Sequence, residues 1–454
     1  MLDRRLLNID RLRTEQFDVL IVGGGINGAG IARDLMLRNA GLRVALVEKN
    51  HFASGTSGKN SQLIHGGLRY LKYGDFQLVR EALRERSTLL HIGGGLVEPL
   101  QFLIPCYGAT DRWFYGAGLT LYDLLAGSHG LGPHQALNGE ATAAREPGMA
   151  AEGLRAGLLF YDCRVNSARL VLENILDADG RGAAVANYVD VRTDGASVSA
   201  RDTLSGDQFS IRARKVVDAT GAWSQGAPLR LVRGSHLIFP RIHKGPEAIA
   251  HFDPAGRIVF LIPWGEAGEL TLVGTTDVDH DGSPDSVHIS QAETEYLTGI
   301  VHRLFPSYHE APVSSYSSLR PLIAESGRSA TSTSREHKIW ETADGILHIG
   351  GGKYTTYRAM SEELVDTLLR DLAPGRAYPC KTAQTPLQVP QLPQDRGERV
   401  RMAVEREYAR KLTDLLYVST YWGYERTLSA DWTEPLEREM IALIKQQAPG
   451  SIPG

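Results

Sequence analysis

The sequence predicts an α/β architecture: one mostly parallel sheet assembled from segments far apart in the chain, an antiparallel sheet inserted between them, and a short helical region at the end. Three observations predict it. The chain opens on a strand, a glycine turn, a helix and a second strand ending in an acid. Its middle is rich in strands and poor in helical periodicity. Strands running into small-residue turns return at residues 216–223 and 345–357.

In the opening unit, Val19 to Val22 form a continuous apolar run, the pattern of a parallel strand buried on both faces. It breaks into Gly23-x-Gly25-x-x-Gly28, and Ala29, Ile31, Ala32, Leu35 and Met36 follow at helical spacing. A second run, Val44 to Val47, ends in Glu48. The glycines allow a tight turn and let a pyrophosphate approach the backbone. The helix N-terminus offers free N–H groups and the positive end of its dipole, and Glu48 accepts hydrogen bonds from ribose hydroxyls. A lone glycine pattern is often only a tight turn between strand and helix; strand, glycines, helix, strand and acid in this order are specific. The expected ligand is a dinucleotide with a free ribose hydroxyl, FAD or NAD.

At 454 residues the chain is too long for one compact core, so two or three domains are expected. A formal net charge of -4 gives no reason to expect nucleic-acid binding. Cys106, Cys163 and Cys380 are odd in number, widely spaced and without a CxxC pair, which points to a reducing compartment with neither a disulfide framework nor a metal site. No apolar core of signal-peptide length opens the sequence, and no segment reaches the ~20 apolar residues that cross a bilayer. The expected location is the cytoplasm, with a peripheral place on the inner face of the cytoplasmic membrane as the alternative. Residues 1–16 set Arg4, Arg5, Arg11 and Arg13 beside Leu2, Leu6, Leu7 and Ile9. The expected reading is a solvated extension; the other is an interfacial anchor. No signal for an oligomeric state is present.

Further along, residues 54–71 are small hydroxyl residues and glycines interleaved with His65, Arg69 and Tyr70, a poor packing element in which the backbone is expected to pass close to a ligand. A helix follows with Leu78, Val79, Ala82, Leu83, Leu89 and Leu90 on one face, and Arg80, Arg84 and Arg86 read as its solvated side. Residues 92–150 show no clear period. After a helix at residues 168–178, three strand-like runs, 185–192, 196–204 and 208–218, are separated by Asp194-Gly195 and Ser205-Gly206 and read as a meander. It ends in the small-residue turn Ala219-Thr220-Gly221. Residues 230–340 are mostly strands with one helix near 292–304. Gly345 to Tyr357 returns to strand, glycine turn and helix, and a Pro/Gln-rich linker at residues 386–394 leads to a helical tail.

One nucleotide-binding domain is thus expected from residues 17–91, 151–229 and 341–375, a substrate domain from 92–150 and 230–340, and a linker with a short helical region over 376–454. A nicotinamide dehydrogenase usually completes its nucleotide domain contiguously; a protein wrapped along the full length of FAD needs these returning segments.

At this point the residues carry a resemblance, covering roughly residues 17–375. The chain resembles the FAD-dependent, respiratory-type glycerol-3-phosphate dehydrogenases through Gly23-Gly24-Gly25-Ile26-Asn27-Gly28-Ala29-Gly30, Leu63-Ile64-His65-Gly66-Gly67-Leu68-Arg69-Tyr70 and Gly234-Ser235-His236. Ile262-Pro263-Trp264, Gly274-Thr275-Thr276-Asp277, Leu319-Arg320-Pro321-Leu322 and Gly351-Gly352-Lys353-Tyr354-Thr355-Thr356-Tyr357-Arg358 extend it. It implies an FAD-binding Rossmann-like domain of the D-amino-acid-oxidase (glutathione-reductase) type, non-covalent FAD, and oxidation of sn-glycerol 3-phosphate to dihydroxyacetone phosphate. Electrons then pass to a quinone or, in some members, to oxygen. Gln62 stands where family members usually carry Lys, and the tail after Lys381 is shorter than the C-terminal domain of many bacterial members. The rivals are a flavin oxidase or dehydrogenase of the same fold acting on another hydroxy or amino acid, and a flavin-bearing binding module with little turnover.

The motif segments supply the expected cofactor contacts. Gly23, Gly25, Asn27, Gly28 and Glu48 come from the opening unit. Thr56, Ser57, Ser61, Leu63, His65, Gly66 and Gly67 come from the small-residue stretch. Thr220 and Gly221 come from the meander turn, and Gly351, Gly352, Lys353 and Thr355 from the last one. A small phosphorylated polyol needs cationic forks: Arg320 and Arg335 are expected to hold phosphate, with Arg69 and Tyr70 completing the pocket. Arg320 as a structural ion pair and Arg335 in an exposed turn are the plain alternatives. His236 is the candidate base, since imidazole titrates near neutral pH, against the reading of a satisfied core histidine. Lys353, at a helix start where the dipole disfavours a cation, is expected to stabilise negative charge on reduced flavin and to polarise the substrate oxygen.

Overall fold

A computed structural model describes residues 3–194, 197–226, 229–253, 256–265, 268–323, 336–426 and 428–447. Two sheets carry the fold. The first runs in the order 337–341, 346–351, 208–218, 16–22, 44–48, 184–187, parallel throughout except for its edge strand 337–341. Its central strands are apolar on both faces, with Val19, Leu20, Ile21, Val44 and Leu46 all buried. Register fixes what this sheet can do. Val22 stands opposite both Val47 and Asp218, and Asp218 opposite His348. Three strand ends are therefore level while strand 346–351 runs on to Gly351, and the turns that follow open on one edge, the place where parallel sheets take ligands.

Helices Ile26–Arg38, Ser167–Gly180 and Tyr357–Leu372 cover one face, and the antiparallel strands 189–194 and 197–202 extend the meander beyond Gln208–Asp218. The 185–192 run is two strands, 184–187 and 189–194, because Tyr188 sits at φ 57 between them and turns the chain from one partner to the next.

The second sheet runs 278–279, 229–240, 270–274, 258–264, 248–252, 97–106, 156–165, 63–64, with 314–323 also paired to 229–240 and 135–138 to 156–165. It is antiparallel except where Ala248–Phe252 meets Val97–Cys106. Residues 92–150, without visible period, hold the strand Val97–Cys106 and the helix Asp111–Ala126. Pro99 and Pro105 and a run buried at Phe102 to Cys106 erase the alternation that marks a half-exposed strand. Strand Ala156–Val165 pairs here, although the sequence groups residues 151–229 with the nucleotide unit, and His337–Glu341 joins the first sheet.

Two further expectations are corrected. The N-terminal residues form the helix Arg4–Thr14, capped by Asp3, with Ile9 and Leu12 packed against Phe17 and Leu20 of the first sheet. It is neither a solvated extension nor a free anchor. Arg5 is buried and donates to both carboxylate oxygens of Asp202 at 2.8 and 3.1 Å. Burial works against the Asp202 carboxylate, but the bonds and charge of Arg5 outweigh it and hold the group below the usual carboxylate range. This contribution is present above the unfolded pKa, near 4 for Asp, and is lost as pH falls through the folded value. Arg5→Ala is expected to destabilise the fold by about 3–5 kcal/mol because it strands a buried charge; a thermal midpoint equal to wild type at neutral pH contradicts this. Arg86, read as solvated, is also buried and pairs with Asp162 at 2.7 Å.

The C-terminal region builds its own small core from Val400, Val404, Leu415, Leu416, Trp422, Leu436 and Met440. It is tied back to the first sheet and its helices by Arg406–Glu173, Arg169–Glu407 and Tyr188–Asp414. Among the described residues no helix is long and apolar enough to cross a membrane.

Candidate active site

A cavity of about 610 Å³ lies along the carboxyl edge of the first sheet and is roofed by the second. Its first part is the Gly23–Asn27 turn. Glu48 accepts from the Gly24 N–H at 2.7 Å and from the Asn50 N–H at 2.8 Å, and the Ser57 hydroxyl accepts from the Ile26 N–H at the helix start, 2.9 Å away. Burial pushes the Glu48 carboxyl up, while the N–H groups of Asn50 and Gly24 pull it down. Gly28 does not line the cavity. A Cβ there would sit 1.9 Å from the Gly23 carbonyl oxygen, so the third glycine is required for the helix to pack onto the turn.

The loop at residues 53–61 forms one wall and is stapled to strand Ser314–Ile323 of the second sheet. Thr56 donates to the Leu319 carbonyl at 2.6 Å, Ser318 to that of Lys59 at 2.5 Å, and Tyr316 to that of Asn60 at 2.6 Å. On the other side Thr220 and Gly221 line the cavity, their turn fixed by Asp218. That carboxylate accepts from the Thr220 N–H, the Ser224 hydroxyl and His348. Burial opposes its charge, yet the bonds from His348, Ser224 and Thr220 keep it below the usual range.

Beyond these turns, Ser61, Leu63, His65, Gly67 and Tyr70 meet His236, Arg320, Gly351, Gly352 and Lys353. Phe102, Phe160 and Phe260 form an apolar wall, with Phe102 stacked on Phe160 at 5.1 Å. The Lys353 ammonium stands 3.8 Å from the centroid of Tyr70. Arg320 donates to Asp277 at 3.0 Å and to the Thr275 hydroxyl at 2.8 Å. The cavity-lining and ion-pair readings of this residue are therefore both present. Gly234 makes room for it, since a Cβ there would meet the guanidinium at 2.4 Å. Glu293, which accepts from Ser235 and Thr276 and pairs with Arg233, anchors the strand that carries His236. Burial and the Arg320 guanidinium push His236 down to about 3, so its ring is neutral at physiological pH.

Gly66 and Thr355 stand behind the lining. The Gly66 N–H donates to Tyr122 at 2.9 Å and to Asp162, the partner of Arg86, and the Thr355 hydroxyl bonds the backbone of His65. Gln62 faces away as well: its carbonyl oxygen accepts from Ser167 and from Tyr421 of the C-terminal region, and its amide donates to the Gly58 carbonyl. The departure from lysine at this position thus sits on the C-terminal contact, outside the cavity. Arg335 lies outside the described residues, and so does the side chain of Arg69.

Sequence reasoning left two features unassigned. Lys59 lines the cavity, and burial lowers its pKa. Lys49 pairs with Asp285 at 2.7 Å, Trp223 donates to the same carboxylate at 2.8 Å, and the ammonium lies 4.6 Å from the Trp223 ring, so the three clasp the cavity edge next to Glu48. A basic residue following the terminal acid is the only trace of the clasp in the sequence. Asp285→Ala is expected to speed cofactor dissociation by about 2–5-fold, as for an exposed pair, with the gain shrinking at high salt. An off-rate equal to wild type at low salt excludes the clasp.

A glycine-turn cradle, an acid at the second strand end, returning turns from two further strands and an apolar-walled end define a flavoprotein of the Rossmann-like, two-sheet kind. The chain belongs to the FAD-dependent oxidoreductase family, whose pattern matches residues 18–367, and its cofactor is FAD. Within that family it is similar to glycerol-3-phosphate dehydrogenase of Synechocystis sp., with 37% identity over 84% of this chain and 74% of the relative. It is also similar to aerobic glycerol-3-phosphate dehydrogenase of Staphylococcus haemolyticus, with 34% identity over 83% of this chain and 72% of the relative. The fold matches that of glycerol-3-phosphate dehydrogenase from Bacillus halodurans complexed with FAD, with TM-score 0.72 and 24% identity over 100% of this chain and 99% of that one. It also matches L-alpha-glycerophosphate oxidase from Mycoplasma pneumoniae with FAD bound, with TM-score 0.63 and 20% identity over 83% of this chain and all of that one.

Proposed function

We propose that this chain oxidises the secondary alcohol of sn-glycerol 3-phosphate to dihydroxyacetone phosphate, and that Gly23, Gly25, Asn27, Glu48, Ser57, Thr220 and Gly351 to Lys353 hold its FAD. The observation that carries the reading is that three cations, Arg320, Lys353 and Lys59, line the same cavity as a buried neutral imidazole, His236. The identity to relatives named for this activity supports it further.

Bound FAD supplies the ring nitrogen that accepts hydride from the carbinol carbon. The chain's own groups do the rest. Arg320 presents a guanidinium fork to the phosphate. Lys353, held over Tyr70, stabilises negative charge as it develops on ring or substrate oxygen. Phe102, Phe160 and Phe260 exclude water, which strengthens both effects by lowering the local dielectric. His236 receives the hydroxyl proton; burial and Arg320 both lower its basicity, and a phosphate dianion offsets the Arg320 part.

The resemblance supports a quinone as electron acceptor and a peripheral contact with the membrane surface. Turnover with a short-chain quinone that exceeds turnover with oxygen fits that; the reverse order assigns an oxidase. The activity itself is tested with an artificial dye acceptor. Dihydroxyacetone phosphate is expected to form from glycerol 3-phosphate, while glycerol, lactate and amino acids stay inert. Equal rates with a non-phosphorylated alcohol or an amino acid contradict the proposal.

A further inference from the structure

We propose that the Ser61 hydroxyl is a catalytic group, standing between the substrate's secondary alcohol and His236 and relaying the proton from one to the other. The proposal rests on the reading that an alcohol is oxidised in this cavity.

The geometry around His236 leaves its ring one outlet. The residue faces Gly274 on one neighbouring strand and Tyr316 on the other, and the Tyr316 ring lies 4.9 Å from its own, centroid to centroid. The approach of Gly274 is so close that a Cβ there would sit 2.2 Å from His236 Cδ2. Nδ1 is buried with no hydrogen-bond partner among the described residues. Nε2 is the nitrogen that reaches out, and the Ser61 hydroxyl occupies it at 2.9 Å. Ser61 is half-buried and lines the cavity beside His236, so an alcohol bound there can meet the hydroxyl that already holds Nε2.

The relay requires one of the two neutral tautomers of His236. A neutral imidazole carries one N–H, and a hydroxyl can donate and accept at once. With the ring proton on Nδ1, Nε2 accepts from Ser61, and the Ser61 oxygen turns a lone pair to the cavity. During oxidation the substrate O–H breaks and its proton joins Ser61 Oγ, while the Ser61 proton passes to Nε2. Bound FAD would take the C–H electron pair as hydride, leaving the carbonyl. One alcohol has then lost a hydride and a proton, and His236 holds a positive charge. Arg320 adds to the burial that opposes that charge, and a dianionic substrate beside it lessens the opposition. The same phosphate that is bound thereby favours the proton transfer.

The test uses FAD-loaded wild type, Ser61→Ala, Ser61→Thr, His236→Ala and the Ser61/His236 double variant, mixed anaerobically with saturating glycerol 3-phosphate. Ser61→Ala is expected to slow flavin reduction by about 10²-fold or more, the range of a lost proton-transfer group, with FAD content unchanged. Ser61→Thr, which keeps the hydroxyl, is expected to recover most of the rate. The double variant is expected to be no slower than the worse single one, since the two groups act in series. In the resting protein labelled with [15N]histidine, Nε2 of His236 is expected to be unprotonated and hydrogen-bonded, and to lose that bond in Ser61→Ala. Wild-type reduction with a Ser61→Ala rate to match, multiplying effects in the double variant, or a proton resident on Nε2 each overturns the relay while the functional reading stands. Wild-type flavin that glycerol 3-phosphate fails to reduce overturns the functional reading itself, and the relay for this alcohol with it.

Discussion

Replacing His236 with Ala is expected to slow reduction of the bound flavin by ~10² to ~10⁴, the usual contribution of a positioned base, while the protein stays yellow. The loss should fall on the rate constant and spare substrate affinity, because the imidazole is neutral before the reaction and gains charge only during it. The ring is also a packing element between Tyr316 and Gly274, so the variant leaves a void beside strands 314–323 and 270–274. His236→Gln, which keeps volume and hydrogen bonding without basicity, separates the two effects: it should fold like wild type and react as slowly as Ala. A single-turnover rate equal to wild type in the Gln variant removes His236 from the proton transfer.

Arg320→Gln is expected to raise the Michaelis constant for glycerol 3-phosphate by ~30-fold or more, taking ~2 kcal/mol as the low end for deleting one member of a hydrogen-bonded charge pair. Glycerol, which brings no phosphate, should bind as poorly as before. The residue also answers Asp277, which is buried and left without this guanidinium in the variant. Some loss of stability is therefore expected too. Adding Asp277→Asn removes the stranded charge and should restore the thermal midpoint but not the affinity. If the two substrates weaken to the same extent in Arg320→Gln, the guanidinium is structural and does not clamp phosphate.

Which parts of this arrangement could be read in advance follows from how local their chemistry is. The Gly23-x-Gly25-x-x-Gly28 turn, Glu48 and the Gly351–Gly352 return were legible because each encodes its backbone requirement within a few residues. Their convergence on one edge follows from register, with Val22 level with Val47 and Asp218. Helical spacing sets Arg86 on the buried face with Val79, Ala82 and Leu83, away from Arg80 and Arg84; it was misread because its partner Asp162 arrives from a strand 76 residues away. Arg5 was misread for the same reason, with Asp202 lying 197 residues on. The link between Ser61 and His236 spans 175 residues, from a loop to a strand of the second sheet, and neither residue carries a mark of the other. Ser61 was placed among cofactor contacts on its motif alone. Gln62 drew notice as a departure from the family, yet its role as the seat of Tyr421 depends on how the last helices fold back, which no local pattern states. Long-range charge pairing and docking were the illegible part; turn chemistry was the legible one.

The central claim is that separate turns enclose one flavin and leave a cationic pocket fit for a phosphorylated alcohol. An anaerobic titration of the purified, FAD-loaded protein tests it most directly. Glycerol 3-phosphate should bleach the visible flavin band fully at stoichiometric amounts, and an excess of glycerol should leave it untouched. A band that glycerol 3-phosphate cannot bleach, or that glycerol bleaches equally well, contradicts the account.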